Sequence, residues 1–567
     1  MIFAIVSALL GNVVRLLLLP LRLLRRARAA PIGGFVHLVI DGSLVPMAPA
    51  RSRLPWAPRP TGLALDRVHE LVSALLADPR PGGMLVTIKA LSAAPALRTA
   101  LRAELARVRA AGRPLVVHLP SGGSTAELLV ASVAARVLVG AETSLGPLGF
   151  RSGSLYFRRA LDRAGLVPSV HAAGAYKSAG EPLMRDAMSA AQAEQSGRLL
   201  DVLHAEMTTA LGTGRGLTAE AAAAVIDRGL VSAETAVELG LADAIVHDDE
   251  VPHALLPARS EEKTPLVPAA AYLRRRTARL FRPLVPRPRI AVVALHGPIV
   301  EHAPVRMGNV CEAARIVPVL RALADDPWVA AVVLHVDSPG GGVLASEKIH
   351  RAVVGLGAKK PVVACFGGVA ASGGYYVSAP AACIVAATTT ITGSIGVVAA
   401  RVLVGPLLER LGITSQAVTR GQRAEMFSPL HAFDEGERVA FEAELDRAYR
   451  HFVALVAAGR KRSEDEIRAL AGGRVWAGVD AHERGLVDRL GGLDVAIEEA
   501  RGRAGAPLAE AFLLATRPAL PPLALARLLP GGTLDALGLR PFAEIAQLTC
   551  GVRERVWALA SLDRWLD

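Results

Sequence analysis

Two residues able to do chemistry stand where an internal copy of the same sequence has alanine. The stretch Val116 to Ser132 runs without a gap against Val362 to Ser378, which sets Ser372, in Ala370-Ala-Ser-Gly-Gly-Tyr375, opposite Ala126. Gly165 to Lys177 likewise runs against Gly412 to Ala424, which sets Lys177 opposite Ala424. One copy holds a serine and the other a lysine. Two half-sites that each lack what the other supplies predict one composite site, in which a lysine base activates a serine nucleophile.

That chemistry makes demands on the surroundings. With an ordinary pKa near 10.4, only about one lysine in 2,500 is neutral at pH 7, so Lys177 must lie in an apolar cleft that lowers its pKa by several units. Ser394, in Thr392-Gly-Ser-Ile-Gly396, is expected to orient the lysine amine; the first copy has Leu145-Gly-Pro-Leu-Gly149 there, without a serine. The run Asp337-Ser-Pro-Gly-Gly-Gly342 and the stretch Ser372-Gly373-Gly374 fall at successive strand-to-helix connections of one copy. In parallel sheets such connections lie side by side at the edge where ligands bind. Glycines there let main-chain N–H groups face a ligand, and the Gly373 amide would point the same way as the Ser372 hydroxyl. Taken singly, a glycine run is a tight turn and a serine opening a helix is a cap. Their conjunction is what points to acyl transfer. His335 shares a strand face with Asp337 and offers no Asp–His–Ser geometry on its own.

The elements that must position these residues can be read from periodicity. Each half opens with an apolar strand, Phe35 to Asp41 and Arg289 to His296. A helix follows each, ending at Asp78-Pro79 or Asp326-Pro327. Buried strands come next (Met84 to Ile88, Val332 to Val336), then further strands at Pro114 and Pro361 and Ala-rich helices. Alternating apolar strands and helices predict β-α-β units with mostly parallel sheets, an α/β fold. Both halves close alike, in Glu238-Leu-Gly-Leu-Ala-Asp243 and Glu483-Arg-Gly-Leu-Val-Asp488. The expected organisation is 1–30 as a membrane anchor or interfacial helix, 31–249 as the lysine repeat, 250–288 as a basic Pro-rich linker, 289–505 as the serine repeat, and 506–567 as an extension of unassigned role.

Composition narrows the function classes. The chain of 567 residues is 52% hydrophobic but only 4% aromatic, with a net charge of +12. Its basic residues gather at Arg15 to Arg28 and Arg274 to Arg282 with a single aromatic, Phe281, among them, which argues against nucleic acid and for a membrane surface or solubility. The cysteines Cys311, Cys365, Cys383 and Cys550 have no metal-site spacing, and neither metal nor cofactor is expected. Residues 2–24 are mostly apolar and as a helix would extend about 35 Å, enough for a bilayer core. Arg15 near the middle costs roughly 3 kcal/mol there. An interfacial helix and a cleaved signal are the rival readings, the latter weakened by the missing basic start. The basic cluster after the anchor favours a cytoplasmic carboxyl side.

These motifs together resemble the signal peptide peptidase A (SppA) family in its long form with two tandem repeats, over residues 35–500. The residues that carry the likeness are Asp337-Ser-Pro-Gly-Gly, Ala370 to Tyr375, Thr392 to Gly396, Tyr176-Lys-Ser, and Val475-Trp-Ala-Gly with Glu483 to Asp488. The resemblance implies two Clp-protease/crotonase-like repeats and a membrane-associated serine endopeptidase of the bacterial inner membrane. It assigns Ser372 as nucleophile, Lys177 as general base, Ser394 as the lysine-positioning residue, and the Gly341 and Gly373 amides as the oxyanion hole. It further implies a homo-oligomer, a tetramer by family likeness, that degrades signal peptides and other apolar unfolded peptides on the extracytoplasmic side. That side conflicts with the positive-inside reading. The alternative is a crotonase-like acyl-CoA enzyme, whose fold also offers two amides to an oxyanion; it leaves the complementary alanines unexplained. A non-catalytic membrane scaffold would not need the intact serine, lysine and glycine set.

Overall fold

The computed structural model describes residues 12–27, 29–47, 62–255, 263–276, 288–303, 310–514 and 557–559. Each repeat is a mostly parallel sheet covered by helices. In the first, the strand order is Leu266–Pro268, Phe35–Val45, Gly83–Ser92, Leu115–Leu119, Arg136–Val139 and Ala244–Ile245, all parallel. In the second it is Glu510–Leu514, Arg289–His296, Val329–Ser338, Val362–Ala371, Ile391–Gly393 and Val475–Ala477, parallel except for the last. The strands are near-continuous runs of Val, Leu, Ile and Ala because both faces are covered. Val86, Val117, Val332 and Leu334 are fully buried.

Two expected boundaries are corrected. Part of the segment read as a linker belongs to the first repeat. Leu266–Pro268 adds a strand beside Phe35–Val45, and the helix Ala269–Arg276 buries Tyr272 against the helix Leu65–Leu76, its hydroxyl donating to the Ala74 carbonyl at 3.1 Å. The composition of 250–288 hid this because the few apolar anchors, Val267, Ala269 and Tyr272, are spread among Pro and Arg. The second repeat likewise extends past residue 505: Glu510–Leu514 pairs with Arg289–His296. Each repeat therefore closes with a strand returning beside its first.

A third sheet joins the halves. Val167–Ala173 of the first repeat pairs antiparallel with Val397–Leu403 of the second over seven residues, from Val167↔Leu403 to Ala173↔Val397. The same sheet contains Ile299–Val300, Gly340–Gly342 and Trp557–Leu559. This ribbon brings the repeats' functional loops to one place.

At the amino end, 12–17 and Leu19–Ala27 are helical. Among the described residues no helix is long and apolar enough to cross a membrane, and residues 1–11 of the expected anchor lie outside them. Cys311, Cys365 and Cys383 are free and buried, as their apolar contexts suggest; Cys550 lies outside the described residues.

Candidate active site

Ser372 sits at the turn between the strand Val362–Ala371 and the helix Gly373–Ser378. Its φ of 54° is a conformation that a residue bearing a Cβ rarely adopts, and strain of this kind gathers at functional sites. Two backbone bonds hold the turn: the Ser372 amide donates to the Gly393 carbonyl at 2.8 Å, and the Tyr376 amide to the Ser372 carbonyl at 2.8 Å. Ser394 follows Gly393 and has the same unusual backbone, φ 51°. Its amide donates to the Arg474 carbonyl at 2.7 Å.

Lys177 arrives from the other repeat, immediately after the strand Val167–Ala173. Gly174 makes the turn, at φ 113°, and a Cβ there would collide with the backbone of Gly472. The Tyr176 amide donates to the Gly472 carbonyl at 2.9 Å, and the Gly473 amide to the Ile395 carbonyl at 2.9 Å. The pair Gly472-Gly473 is thus wedged between the lysine loop and the Ser394 loop.

The three side chains meet inside the protein. Lys177 Nζ stands 2.7 Å from Ser372 Oγ, 2.9 Å from Ser394 Oγ and 3.1 Å from the Ser394 carbonyl oxygen. Ser372 is fully buried, and Lys177 and Ser394 are nearly so. Burial alone pushes the Lys177 pKa well below its ordinary value, because removal from water disfavours the ammonium. A neutral amine has two N–H groups and one lone pair. In that form, donation of the N–H groups to the two Ser394 oxygens would leave the lone pair for the Ser372 hydroxyl.

Gly341 and Gly373 also come together. A Cβ on Gly373 would lie 3.0 Å from the Gly341 nitrogen and 3.1 Å from Gly340 Cα, and one on Gly341 would run into the Ile299 carbonyl. Only glycines let these strands and the helix start pack this closely. The corresponding corner of the first repeat is filled. Glu127 follows Ala126 there, and its carboxylate accepts from the amides of Leu91 and Ser124, both at 2.9 Å. His335 is elsewhere, its ring nitrogen 2.7 Å from that of His296, and burial pushes its pKa down to about 3.

Sequence reasoning missed the supports of the lysine loop. Arg474 stacks on Tyr176 and Trp476, with its guanidinium 4.7 and 4.5 Å from the ring centres, and ion-pairs with Glu194 at 2.7 Å. The Gln195 side chain accepts from the Val475 amide at 3.1 Å. Arg198 pairs with the buried Asp480 at 2.7 Å. The doublet Gly472-Gly473 just before the Val475-Trp-Ala motif was the available signal.

A model of peptidase family S49 matches residues 107–257 and again 356–506. The chain is 32% identical over 491 residues to Protease 4 of Salmonella typhi, covering 82% of this chain and 78% of that protein. It is 29% identical over 454 residues to the chloroplastic serine protease SPPA of Arabidopsis thaliana, covering 79% and 67%. Among solved structures, a ClpP1 from Listeria monocytogenes overlays at a TM-score of 0.25 and 16% identity, covering 36% of this chain and 94% of that one.

Proposed function

The chain belongs to peptidase family S49 and is a serine peptidase of its two-repeat form, and from that premise we propose a membrane-associated endopeptidase that uses a Ser372/Lys177 dyad on apolar, unfolded peptides such as signal peptides. The observation that carries the reading is the 2.7 Å approach of Lys177 Nζ to Ser372 Oγ across the repeat junction.

In this mechanism neutral Lys177 takes the Ser372 hydroxyl proton as Oγ attacks the scissile carbonyl carbon. The negative charge on the carbonyl oxygen is met by the Gly341 and Gly373 amides. Collapse breaks the C–N bond, and the Lys177 ammonium returns its proton to the leaving amine. Water then gives a proton to Lys177 and attacks the acyl carbon. Ser372 Oγ departs, recovering that proton, and the free carboxyl product remains. Ser394 holds the amine throughout.

Substrate shape follows from the strand edges. Trp557–Leu559 of the chain itself runs antiparallel to Gly340–Gly342 and meets Val398. An extended peptide laid in that place would gain main-chain bonds beside Ser372, a mode open to unfolded chains and closed to folded ones. Membrane association is supported by the helical start, where Val13, Val14, Leu16, Leu17, Leu21 and Leu24 are exposed. Catalysis on the extracytoplasmic side of the inner membrane rests on the family likeness.

Association into a homo-oligomer has a structural rationale. The equivalents of the joining strands Val397–Leu403 and Val167–Ala173 are residues 150–156 and 414–420, and neither segment is a strand in this chain. All residues from Leu411 to Ala424 are exposed. Pairing of 414–420 with 150–156 of another copy would repeat the internal ribbon and build a closed ring. The site formed at that contact would hold Ala424 and Ala126, so the exchanged alanines would mark a junction without chemistry.

The test is hydrolysis of an unfolded apolar peptide by the full chain. Wild type should cleave it while leaving a folded protein intact, and Ser372→Ala and Lys177→Ala should each lose turnover with the fold preserved. Equal turnover in either variant, or turnover of acyl-CoA in place of peptide, overturns the reading.

A further inference from the structure

One hydroxyl beside the glycine corner has no partner. Ser346 lies near the start of the helix Val343–Gly357, which leads directly out of the strand Gly340–Gly342. Its side chain is fully buried, and Oγ makes no hydrogen bond. Burying a hydroxyl unpaired costs free energy, and native proteins rarely leave one so without a reason. The location supplies a reason. A Cβ on Gly373 would fall 2.7 Å from Ser346 Oγ and 3.0 Å from the Gly341 nitrogen. The hydroxyl therefore shares one corner with the backbone of both glycines whose amides face the developing negative charge.

Packing alone does not account for the serine. Counting from the matched strands Met84–Ile88 and Val332–Val336 places Arg98 at the equivalent position of the repeat that lacks the nucleophile. There the corner is closed by the Glu127 carboxylate; in the second repeat it is left to glycine and a small hydroxyl.

We propose that Ser346 is a further catalytic residue, whose hydroxyl donates a third hydrogen bond to the substrate oxygen at this corner when the tetrahedral intermediate forms. The inference rests on the peptidase reading above. The hydroxyl has no partner to give up, and its bond is stronger to the oxyanion than to the neutral carbonyl, which is the condition for accelerating the chemical step. The helix start behind it contributes in the same sense.

The experiment compares wild type, Ser346→Ala and Ser346→Cys in the full chain, with Ser372→Ala as reference. Turnover of an apolar fluorogenic peptide, thermal melting, and the affinities of a peptide aldehyde and of the same peptide ending in a carboxylate are measured. Ser346→Ala should lower kcat about ten- to a hundredfold with KM within twofold. The aldehyde, which forms a hemiacetal oxygen at the corner, should weaken by a similar factor, and the carboxylate peptide by less than twofold. Melting should not fall, since an unpaired polar group is removed, and Ser346→Cys, a weak donor of similar size, should lie between. The inference is overturned if kcat stays within twofold of wild type. It is equally overturned if both ligands weaken together, the mark of a purely structural role. Retained turnover in Ser372→Ala would instead strike the peptidase reading itself.

Discussion

Gly473 stands so close to Lys177 that a Cβ on the glycine would lie 2.6 Å from the lysine Cβ. Its φ of 80° already restricts the position to glycine. The second repeat thus places the lysine of the first by direct backbone contact. Gly473→Ala should therefore displace Lys177, and a displacement of about 1 Å at a reacting group costs on the order of a hundredfold in rate. Peptide turnover and circular dichroism of the variant check this: a folded protein with full turnover contradicts it.

Lys177 makes both the activity and the stability of the wild type rise with pH, a dependence that its replacement removes. The folded protein holds it neutral well below its ordinary value of 10.5, whereas the unfolded chain protonates it there. Between the folded and unfolded pKa values the unfolded state binds the extra proton, so stability falls as pH falls, by about 1.4 kcal/mol per pH unit. Below the folded pKa the slope vanishes. Replacing the lysine with methionine removes the term, so Lys177→Met should melt higher than wild type at neutral pH while being inactive, with the gap closing as pH approaches 10.5. Wild-type kcat/KM should rise with pH through the lowered pKa and then level. Melting curves and rate profiles read both; a Lys177→Met protein less stable than wild type at pH 7 contradicts the account.

Ser394 offers two acceptors to the amine, of which only the hydroxyl can be removed by mutation. Ser394→Ala leaves the carbonyl contact and loosens the direction of the lone pair. The expected loss is in kcat, roughly five- to fiftyfold, with KM little changed, within the range that a positioned base contributes. Steady-state kinetics decide, and a change confined to KM would place Ser394 in substrate binding instead.

Much of the site was legible from sequence because duplication acts as an internal control. Ser372, Lys177 and Ser394 each stand against a non-equivalent residue in the other copy, and the structure brings both serine hydroxyls within 3 Å of the lysine amine. What remained illegible depends on approach between distant segments. Gly472-Gly473 reads as a turn until the lysine loop is laid against it. Tyr272 and Val267 read as linker because a single edge strand needs few apolar anchors. The ribbon Val167–Ala173 with Val397–Leu403 was invisible as a pair, since its partner residues in the opposite copies are not strands at all.

The exposed segment 414–420 gives a prediction about assembly. Val418, in the stretch whose counterpart forms the joining ribbon, is 86% exposed, and Ile413, immediately before that stretch, is half exposed. Ile413→Asp together with Val418→Asp should shift the protein toward monomer, measured by light scattering on a sizing column, with catalysis in the intact intrachain site retained. An unchanged mass, with wild type oligomeric, would place the contact elsewhere.

The central claim, that a base from one repeat activates a nucleophile from the other, is met most directly by the rate at which a fluorophosphonate acylates the protein and by the residue it marks. Wild type should be labelled at Ser372, and Lys177→Ala should be labelled 10²- to 10⁴-fold more slowly, about the contribution of a positioned general base. Labelling of Lys177→Ala within tenfold of the wild-type rate, or a label on any residue other than Ser372, would contradict it.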